Sequence, residues 1–167
     1  VDMGDPMRYL GTSKGGISAL FANCNRGKSS IGLDLKQRAG QEIVKSMVSA
    51  ADVLIQNYRP GVMEQLGLGS ESLRSENPGL IYTAISGFGT RGPLNNAPAY
   101  DPVVQAHAGF TAIQGTDDPE FMRSMICDKI TAYTACQAVT AALLVREKIN
   151  EGQHIDISML DSGLFFL

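Results

Sequence analysis

Residues 37–57, QRAGQEIVKSMVSAADVLIQN, decide the fold class, because a helical pattern in them runs directly into a strand pattern. The apolar positions of the first part recur at spacings of three and four: Ile43, Val44, Met47 and Val48. This spacing predicts an amphipathic helix over residues 37–51, and the short apolar run in residues 52–57 predicts a strand. A long helix next to a short buried strand is typical of proteins that mix the two in layers.

The same alternation continues along the chain. Further strands are predicted at residues 29–33, 80–85, 121–127 and 154–157. Further helices are predicted at residues 62–66, 70–76, 102–110 and 129–150, and Ser70 is the expected N-cap of the second of these. Strands that alternate with helices predict an α/β fold of the Rossmann-like kind, with a mostly parallel sheet and helices on both faces.

The ends of the sequence suggest a piece of a longer chain. The first residues, VDMGDPMRYLG, lack an initiating Met and the pattern of a signal peptide. The last residues, GLFFL, stop inside an apolar run without a helix cap. We therefore expect one incomplete α/β domain over residues 1–167, with an upstream segment and a downstream second domain missing.

Composition argues against several classes of function. The net charge is -3 and the Lys and Arg residues are scattered, so a nucleic acid partner is not expected. The longest uncharged run, residues 130–145, is shorter than the ~20 residues needed to cross a bilayer. Three cysteines without CxxC spacing favour neither a disulfide framework nor a metal site, and they fit a reducing, cytoplasmic setting.

The ends of the predicted strands indicate where function lies, because parallel α/β sheets bind their ligands at the carboxyl ends of the strands. Asn57, the loop that begins at Ser86, and Asp128 all fall at such ends. Asp128 stands in SMICDKI, directly before the long apolar helix. Two interpretations stay open for it: a structural N-cap, and an oriented carboxylate that acts as a nucleophile.

Other motifs are less specific. Asn57, Tyr58 and Arg59, in NYRPG, could stack on a flat ring and meet a phosphate, or could be an ordinary strand exit. The loop GFGTRGP (87–93) matches no phosphate-binding motif, which favours a mobile turn. The basic residues Arg26, Lys28 and Lys36 are more typical of solvated surface than of a site for a phosphorylated ligand. His107 and His154 have no evident Ser or Cys partner, so structural roles are expected for both.

Seven segments in order carry a family resemblance: GDPMR, NRGKSSIGLDLK, ADVLIQNYRPGVMEQLGLG, NPGLIYTAISGFGTRGP, AYDPVVQA, the CD before the long helix, and EGQHIDISMLDSGL. In these the chain resembles the class III CoA-transferases, a family that includes formyl-CoA and carnitine CoA-transferases and the α-methylacyl-CoA racemases. The resemblance implies acyl-CoA and a carboxylic acid as substrates and an interlocked homodimer of longer chains. It implies no metal.

The resemblance also implies roles for particular residues. Asp128 takes the place of the catalytic aspartate. The positions at which relatives contact coenzyme A are Leu33, Lys36, Asn57, Tyr58, Arg59, Gln65, Tyr100 and Asp101. Gln65 stands where many members carry an Arg, which puts one phosphate contact in doubt.

For the transferases, the resemblance implies an aspartyl anhydride followed by an aspartyl-CoA thioester, with Gly87 and Gly89 as candidate oxyanion donors. The racemases carry a His at the position of Tyr100 and use it to move an α-proton. A phenol with a pKa of about 10 is a poor base at neutral pH, so a transferase is favoured over an α-methylacyl-CoA racemase. A third hypothesis is a non-catalytic domain that binds coenzyme A or serves assembly.

Overall fold

The computed structural model describes residues 4–11 and 13–167. The chain divides into two compact units, residues 1–41 and residues 42–167.

The first unit is made of short elements. A 3-10 helix, Pro6–Tyr9, is capped by the Asp5 side chain. An antiparallel ribbon follows, with strands β1 (Ser13–Lys14) and β2 (Ile17–Ser18), and leads into helix α1 (Ala19–Cys24). Helix α2 (Arg38–Val48) begins in this unit and continues into the second.

The strand predicted at residues 29–33 is wrong. Residues 28–34 form no strand or helix, and most of their side chains are exposed. Ile31 and Leu33 give the alternation that suggested a strand, but β-structure needs a neighbouring strand to pair with. The part of the first unit that the structure describes offers this segment none.

The second unit contains the sheet. Strands β3 (Val53–Gln56), β4 (Ile81–Ser86) and β5 (His154–Ser158) pair in the order β3-β4-β5, and both pairings are parallel. The registers place Gln56 opposite Ala84 and Ser86 opposite Ser158, so the carboxyl ends of the strands share one edge. The α/β prediction with a parallel sheet is confirmed.

Helices make the connections between these strands. Helices α3 (Val62–Gln65) and α4 (Ser70–Glu76) link β3 to β4. Helices α5 (Asp101–Ala108), α6 (Phe110–Gln114) and α7 (Ile126–Ile149) link β4 to β5, and α8 (Met159–Phe166) follows β5. One core cluster of this unit lies where α5, α6, α7 and α8 pack together, and its buried members are Val104, Ala108, Phe110, Cys127 and Ile130.

Glycines at two helix ends correct the helix limits that were predicted from the sequence. The single helix predicted at residues 102–110 is in fact two, because Gly109 lies between α5 and α6 with φ 93°. This left-handed conformation suits glycine and ends a helix. The predicted N-cap of α4 is also wrong, since Gly69 is the cap and Ser70 is the first helical residue, buried at 7% exposure.

Candidate functional site

Helix α7 starts earlier than the sequence pattern predicted. Its N-cap is Met125, so Asp128 is the third residue inside the helix and not the cap. The strand predicted at residues 121–127 is likewise wrong, because residues 121–125 make no strand ladder and Ile126 already belongs to the helix. The carboxylate of Asp128 still lies in the first helical turn, where the helix dipole favours a negative charge.

The backbone at Asp128 is held by a second carboxylate. The N-H of a third helical residue has no partner within its own helix. At Asp128 this N-H donates to Oδ2 of Asp101 over 2.9 Å. Asp101 is the first residue of α5 and is 4% exposed. One buried acid therefore caps the helix, and the exposed Asp128 carboxylate is left available for another partner.

The environment of Asp128 disfavours its charge. Loss of hydration raises the pKa of the Asp128 carboxyl above its ordinary value of 3.8, and repulsion by Asp101 raises it further. The neighbouring Lys129 ammonium lowers it by a smaller amount. The side chain keeps contact with solvent, but its surroundings favour the protonated form more than those of an ordinary surface carboxylate do.

Cys127 is the other nucleophilic side chain at this helix start, and its surroundings keep it inert. It is fully buried in the core, and burial raises the pKa of its thiol to about 11, with further contributions from Asp101 and Asp128. Thiolate is the reactive form of cysteine, and at neutral pH this group stays protonated. Asp128 is thus the better candidate of the two.

The glycine-rich loop packs against the segment that carries Asp101. A Cβ added at Gly87 would lie 2.1 Å from the Cβ of Ala99, so only glycine allows this approach. Gly87 also accepts a hydrogen bond from the N-H of Leu160 at the start of α8, over 3.0 Å. The end of β4, the residues before α5 and the start of α8 therefore meet at the carboxyl edge of the sheet.

Tyr100 stands at this edge as the N-cap of α5. Its side chain makes no capping hydrogen bond and is 78% exposed. Asp101, next in sequence, points inward instead. Both of its carboxylate oxygens are occupied, one by Asp128 N-H and one by Gln105. The predicted contact of Asp101 with coenzyme A stays a prediction.

The NYRPG residues follow β3 at the same edge of the sheet. Asn57, Tyr58 and Arg59 are all exposed, and Tyr58 donates its backbone N-H to Oε1 of Gln56 over 2.8 Å. Gly61, with φ 84°, then starts α3, which ends at the exposed Gln65. Across the described residues, no hydrogen bond or ion pair joins this group to Asp101 or Asp128.

Leu33 and Lys36 belong to the first unit. Leu33 lines a cleft of about 690 Å³ within that unit, together with Arg8 and Lys28. Neither Lys36 nor Asp128 lines it. Asp34 turns the chain here, since its carboxylate accepts the N-H of Lys36 over 3.0 Å.

The two histidines each pack against an aromatic ring. His107, on α5, packs edge to face on Phe88 with ring centroids 5.1 Å apart. His154 does the same with the buried Tyr82 at 5.2 Å. In the part of the chain that the structure describes, no group of three or more His, Cys, Asp or Glu side chains could hold a metal ion. No helix there is long and apolar enough to span a membrane.

Sequence reasoning missed one residue of this site. Gln105 is 1% exposed and bonds both to Asp101 and to the segment before α7. A partial signal was present, because Gln105 lies on the predicted helix 102–110 and Asp101 lies directly before it, four residues from Gln105, a spacing at which Asp and Gln side chains bond within a helix.

Comparison with known proteins gives concordant matches over the same residues. The sequence profile of CoA-transferase family III matches residues 1–167. The chain is 42% identical over 170 residues to an acetyl-CoA:oxalate CoA-transferase of Acetobacter aceti, covering 98% of this chain and 43% of that protein. It is 40% identical over 146 residues to a succinate–glutarate CoA-transferase of Agrobacterium fabrum, covering 86% of this chain and 36% of that one.

A solved structure agrees with these matches. The crystal structure of a CAIB/BAIF family protein from Brucella suis superimposes with a TM-score of 0.91 at 35% identity. The match covers 97% of this chain and 45% of that one. The chain thus spans less than half the length of the relatives it matches. Its profile match, its sequence relatives and its fold agree: the chain belongs to CoA-transferase family III.

Proposed function

We propose that this protein is a CoA-transferase that moves coenzyme A from an acyl-CoA to a carboxylic acid, with Asp128 as its nucleophile. One observation carries the proposal: an accessible carboxylate in the first turn of α7 whose backbone is fixed by the buried Asp101. The names of the sequence relatives support the reaction class.

The first half of the reaction transfers coenzyme A to the enzyme. The ionised carboxylate of Asp128 attacks the thioester carbonyl, a C-O bond forms, and the C-S bond breaks to release CoA thiolate. The thiolate then attacks the aspartyl carbonyl of the resulting anhydride and displaces the donor carboxylate. Asp128 now carries coenzyme A as a thioester.

The second half repeats these steps in reverse order. The acceptor carboxylate attacks the aspartyl thioester and expels the thiolate, which then attacks the acceptor carbonyl of the new anhydride. The new acyl-CoA leaves and the Asp128 carboxylate is regenerated. Each attacking group is already an anion near neutral pH, so no histidine base is required.

The chain also has groups that could stabilise the oxyanions and bind coenzyme A. The N-H groups of the loop at Gly87 and Gly89 are proposed to stabilise the tetrahedral oxyanions, where one such donor is worth about 3 kcal/mol in a measured case. The residues proposed to contact coenzyme A are Leu33, Lys36, Asn57, Tyr58, Arg59, Gln65, Tyr100 and Asp101. The exposed Tyr58 and Tyr100 rings are suited to stacking on a flat ring system. A homodimer and a cytoplasmic location stay predictions.

Asp128→Asn tests the proposal in the natural protein at its full length. An amide is not an anionic nucleophile, so we expect a fall of at least about 10³-fold in kcat, in the range seen for losses of a nucleophile. Acyl exchange between an acyl-CoA and a labelled carboxylic acid is the assay, and hydroxylamine should trap an acyl-enzyme at Asp128 in the unaltered protein only.

Asp161→Asn is the matched control. Asp161 is also an exposed aspartate at the third position of a helix, α8, but its N-H is capped by the Ser158 hydroxyl over 3.1 Å. We expect it to retain activity. Full exchange activity in Asp128→Asn would show that another group is the nucleophile. Loss of an α-deuterium from a 2-methylacyl-CoA without acyl exchange would favour the racemase instead.

A further inference from the structure

Gln105 makes an unusually complete set of hydrogen bonds for a buried amide. The two hydrogens of its Nε2 face three acceptors: Oδ1 of Asp101 at 2.5 Å, the carbonyl of Ser124 at 3.0 Å and, by a shared hydrogen, the carbonyl of Met122 at 3.4 Å. Its Oε1 accepts the N-H of Met122 over 3.0 Å. With 1% of its surface exposed, this side chain exchanges these partners with water only if the structure opens.

These bonds take the place of a strand ladder. Residues 121–125 belong to no helix or strand, yet their backbone polar groups need partners wherever they are buried. Gln105 supplies three such bonds, and the segment leads straight into Met125, the N-cap of α7. The amide therefore fixes the point at which α7 begins, three residues before Asp128.

A second connection runs from Gln105 to Asp128 through Asp101. The Asp101 carboxylate is shared between them, with Oδ1 facing Gln105 and Oδ2 facing the N-H of Asp128. Without the Gln105 bond, the carboxylate could turn about its own side-chain bonds and leave the helix start uncapped. Gln105 is thus connected to Asp128 in two ways: through the segment before α7 and through the Asp101 carboxylate.

We propose that Gln105 is a positioning residue for Asp128, holding both the segment before α7 and the Asp101 carboxylate that caps it. The inference rests on the proposed role of Asp128 as nucleophile. Gln105 itself contacts no reacting atom. The charged or titratable groups that act on the Asp128 carboxyl are Asp101 from α5 and Lys129 from α7, while Cys127 stays a neutral thiol.

Gln105→Leu keeps the approximate volume and removes all four bonds. Residues 121–125 should then loosen, which hydrates Asp128, and Asp101 should move away from it. Both changes lower the pKa of the Asp128 carboxyl toward its ordinary value. This shift is measured from the pH dependence of the Asp128 carboxyl carbon resonance in a 13C-labelled chain, assigned by comparison with Asp128→Asn.

Activity gives a second readout in the natural protein at its full length. We expect kcat to fall about 100-fold, the loss that a misplacement of about 1 Å can cause, while KM changes little. The acid limb of the pH-rate profile should move to lower pH together with the resonance. A folded Gln105→Leu protein with an unchanged Asp128 titration and an unchanged kcat would overturn the proposal.

Asn77→Ala is the control for general destabilisation. Asn77 is also a side-chain amide that bonds backbone carbonyls, but those belong to Val48 and Ala51 at the end of α2. It should lower stability without moving the Asp128 titration. An equal shift in this variant would mean that the pKa reports loss of stability and not positioning.

Amide exchange in the unaltered protein tests the same network if Gln105→Leu does not fold. The N-H groups of Met122 and Asp128 have only side-chain acceptors, Gln105 and Asp101. We expect both to be protected from exchange, and exchange at the rate of an unfolded chain would contradict the inference. These outcomes are independent of the assay of Asp128→Asn, so a failed nucleophile and a failed positioning role are distinguishable.

Discussion

Two aspartates near each other have opposite surroundings, and this difference supports the different roles proposed for them. Asp101 is buried with both oxygens bonded, whereas Asp128 is exposed with its carboxylate available. Burial raises the pKa of the Asp128 carboxyl, and repulsion by Asp101 raises it further. Groups whose environment disfavours their reactive form are typical of functional sites, where stability is given up for reactivity.

This imbalance predicts that Asp128→Asn stabilises the fold at neutral pH. A carboxyl whose pKa is raised on folding destabilises the protein when ionised, so its penalty is absent below the unfolded pKa, grows as pH rises from the unfolded to the folded pKa, and is constant above the folded pKa. The neutral amide avoids the penalty. We expect a higher urea midpoint than that of the unaltered chain at pH 7.

The gain should disappear below the unfolded pKa of about 3.9, where both side chains are neutral. Urea titrations at several pH values check this, and Asp161→Asn serves as the comparison because the N-H of Asp161 is capped by the Ser158 hydroxyl and not by a carboxylate. A gain that is the same at every pH would point to packing and not to charge.

At the scale of elements, the sequence pattern predicted a helix or strand well where the residues of that element alone determine its conformation. The period of apolar residues placed α2, β3, β4 and β5 close to their observed limits. The carboxyl-edge argument placed Asn57 correctly after β3, but the strand that it assumed before Asp128 does not form. The patterns were wrong at residues 29–33 and 121–127. There an apolar alternation exists, but no strand among the described residues pairs with it, and at 122–124 a side chain, Gln105, bonds the backbone instead.

Caps were predicted less well than elements for a related reason. The sequence nominated Ser70 and Asp128 as N-caps because both are favoured residue types. In the structure Gly69 and Met125 hold these positions, without capping side chains. At α7 the cap comes from Asp101, 27 residues away in sequence. A partner brought by tertiary folding leaves no local signal.

Asn77 gives a second case of capping at a distance, and it is open to a direct test. It ends α4, and its side-chain Nδ2 donates to the carbonyls of Val48 and Ala51, each over 3.0 Å. Its Oδ1 also accepts the N-H of Gly79. Asn77→Ala should therefore lower the free energy of unfolding by about 1–3 kcal/mol, the usual range for half-buried polar groups left without partners.

Denaturation in urea, with Asn96→Ala as the control, measures this effect. Asn96 is an exposed loop residue, and its replacement should change stability by no more than about 0.5 kcal/mol. An equal effect of both variants would show that the bonds to α2 contribute nothing beyond those an exposed asparagine makes with water.

At the scale of the whole molecule, the site and the core are joined at one residue. Cys127 is fully buried among Val104, Ala108, Phe110 and Ile130, and the next residue is the proposed nucleophile. Gly163 of α8 lies close by, since a Cβ added there would be 3.7 Å from the Cys127 sulfur. The start of α7 is therefore held by the packing of three helices, and Asp128 stands on a rigid support.

The three cysteines make this rigidity measurable. Cys24 and Cys136 are exposed, whereas Cys127 is buried and the pKa of its thiol is raised to about 11. We expect a thiol reagent at pH 8 to label Cys24 and Cys136 within minutes and to reach Cys127 only when the helices separate. Peptide mass spectrometry resolves the three sites.

The rate at Cys127 should follow the stability of the second unit, because buried groups react through opened states whose population depends on the free energy of unfolding. Asn77→Ala should accelerate its labelling by about 5- to 150-fold, which corresponds to 1–3 kcal/mol, and should leave Cys136 unchanged. If Cys127 were labelled as fast as Cys136 in the unaltered protein, the start of α7 would open locally. Asp128 would then lack the fixed support that its proposed role as nucleophile requires.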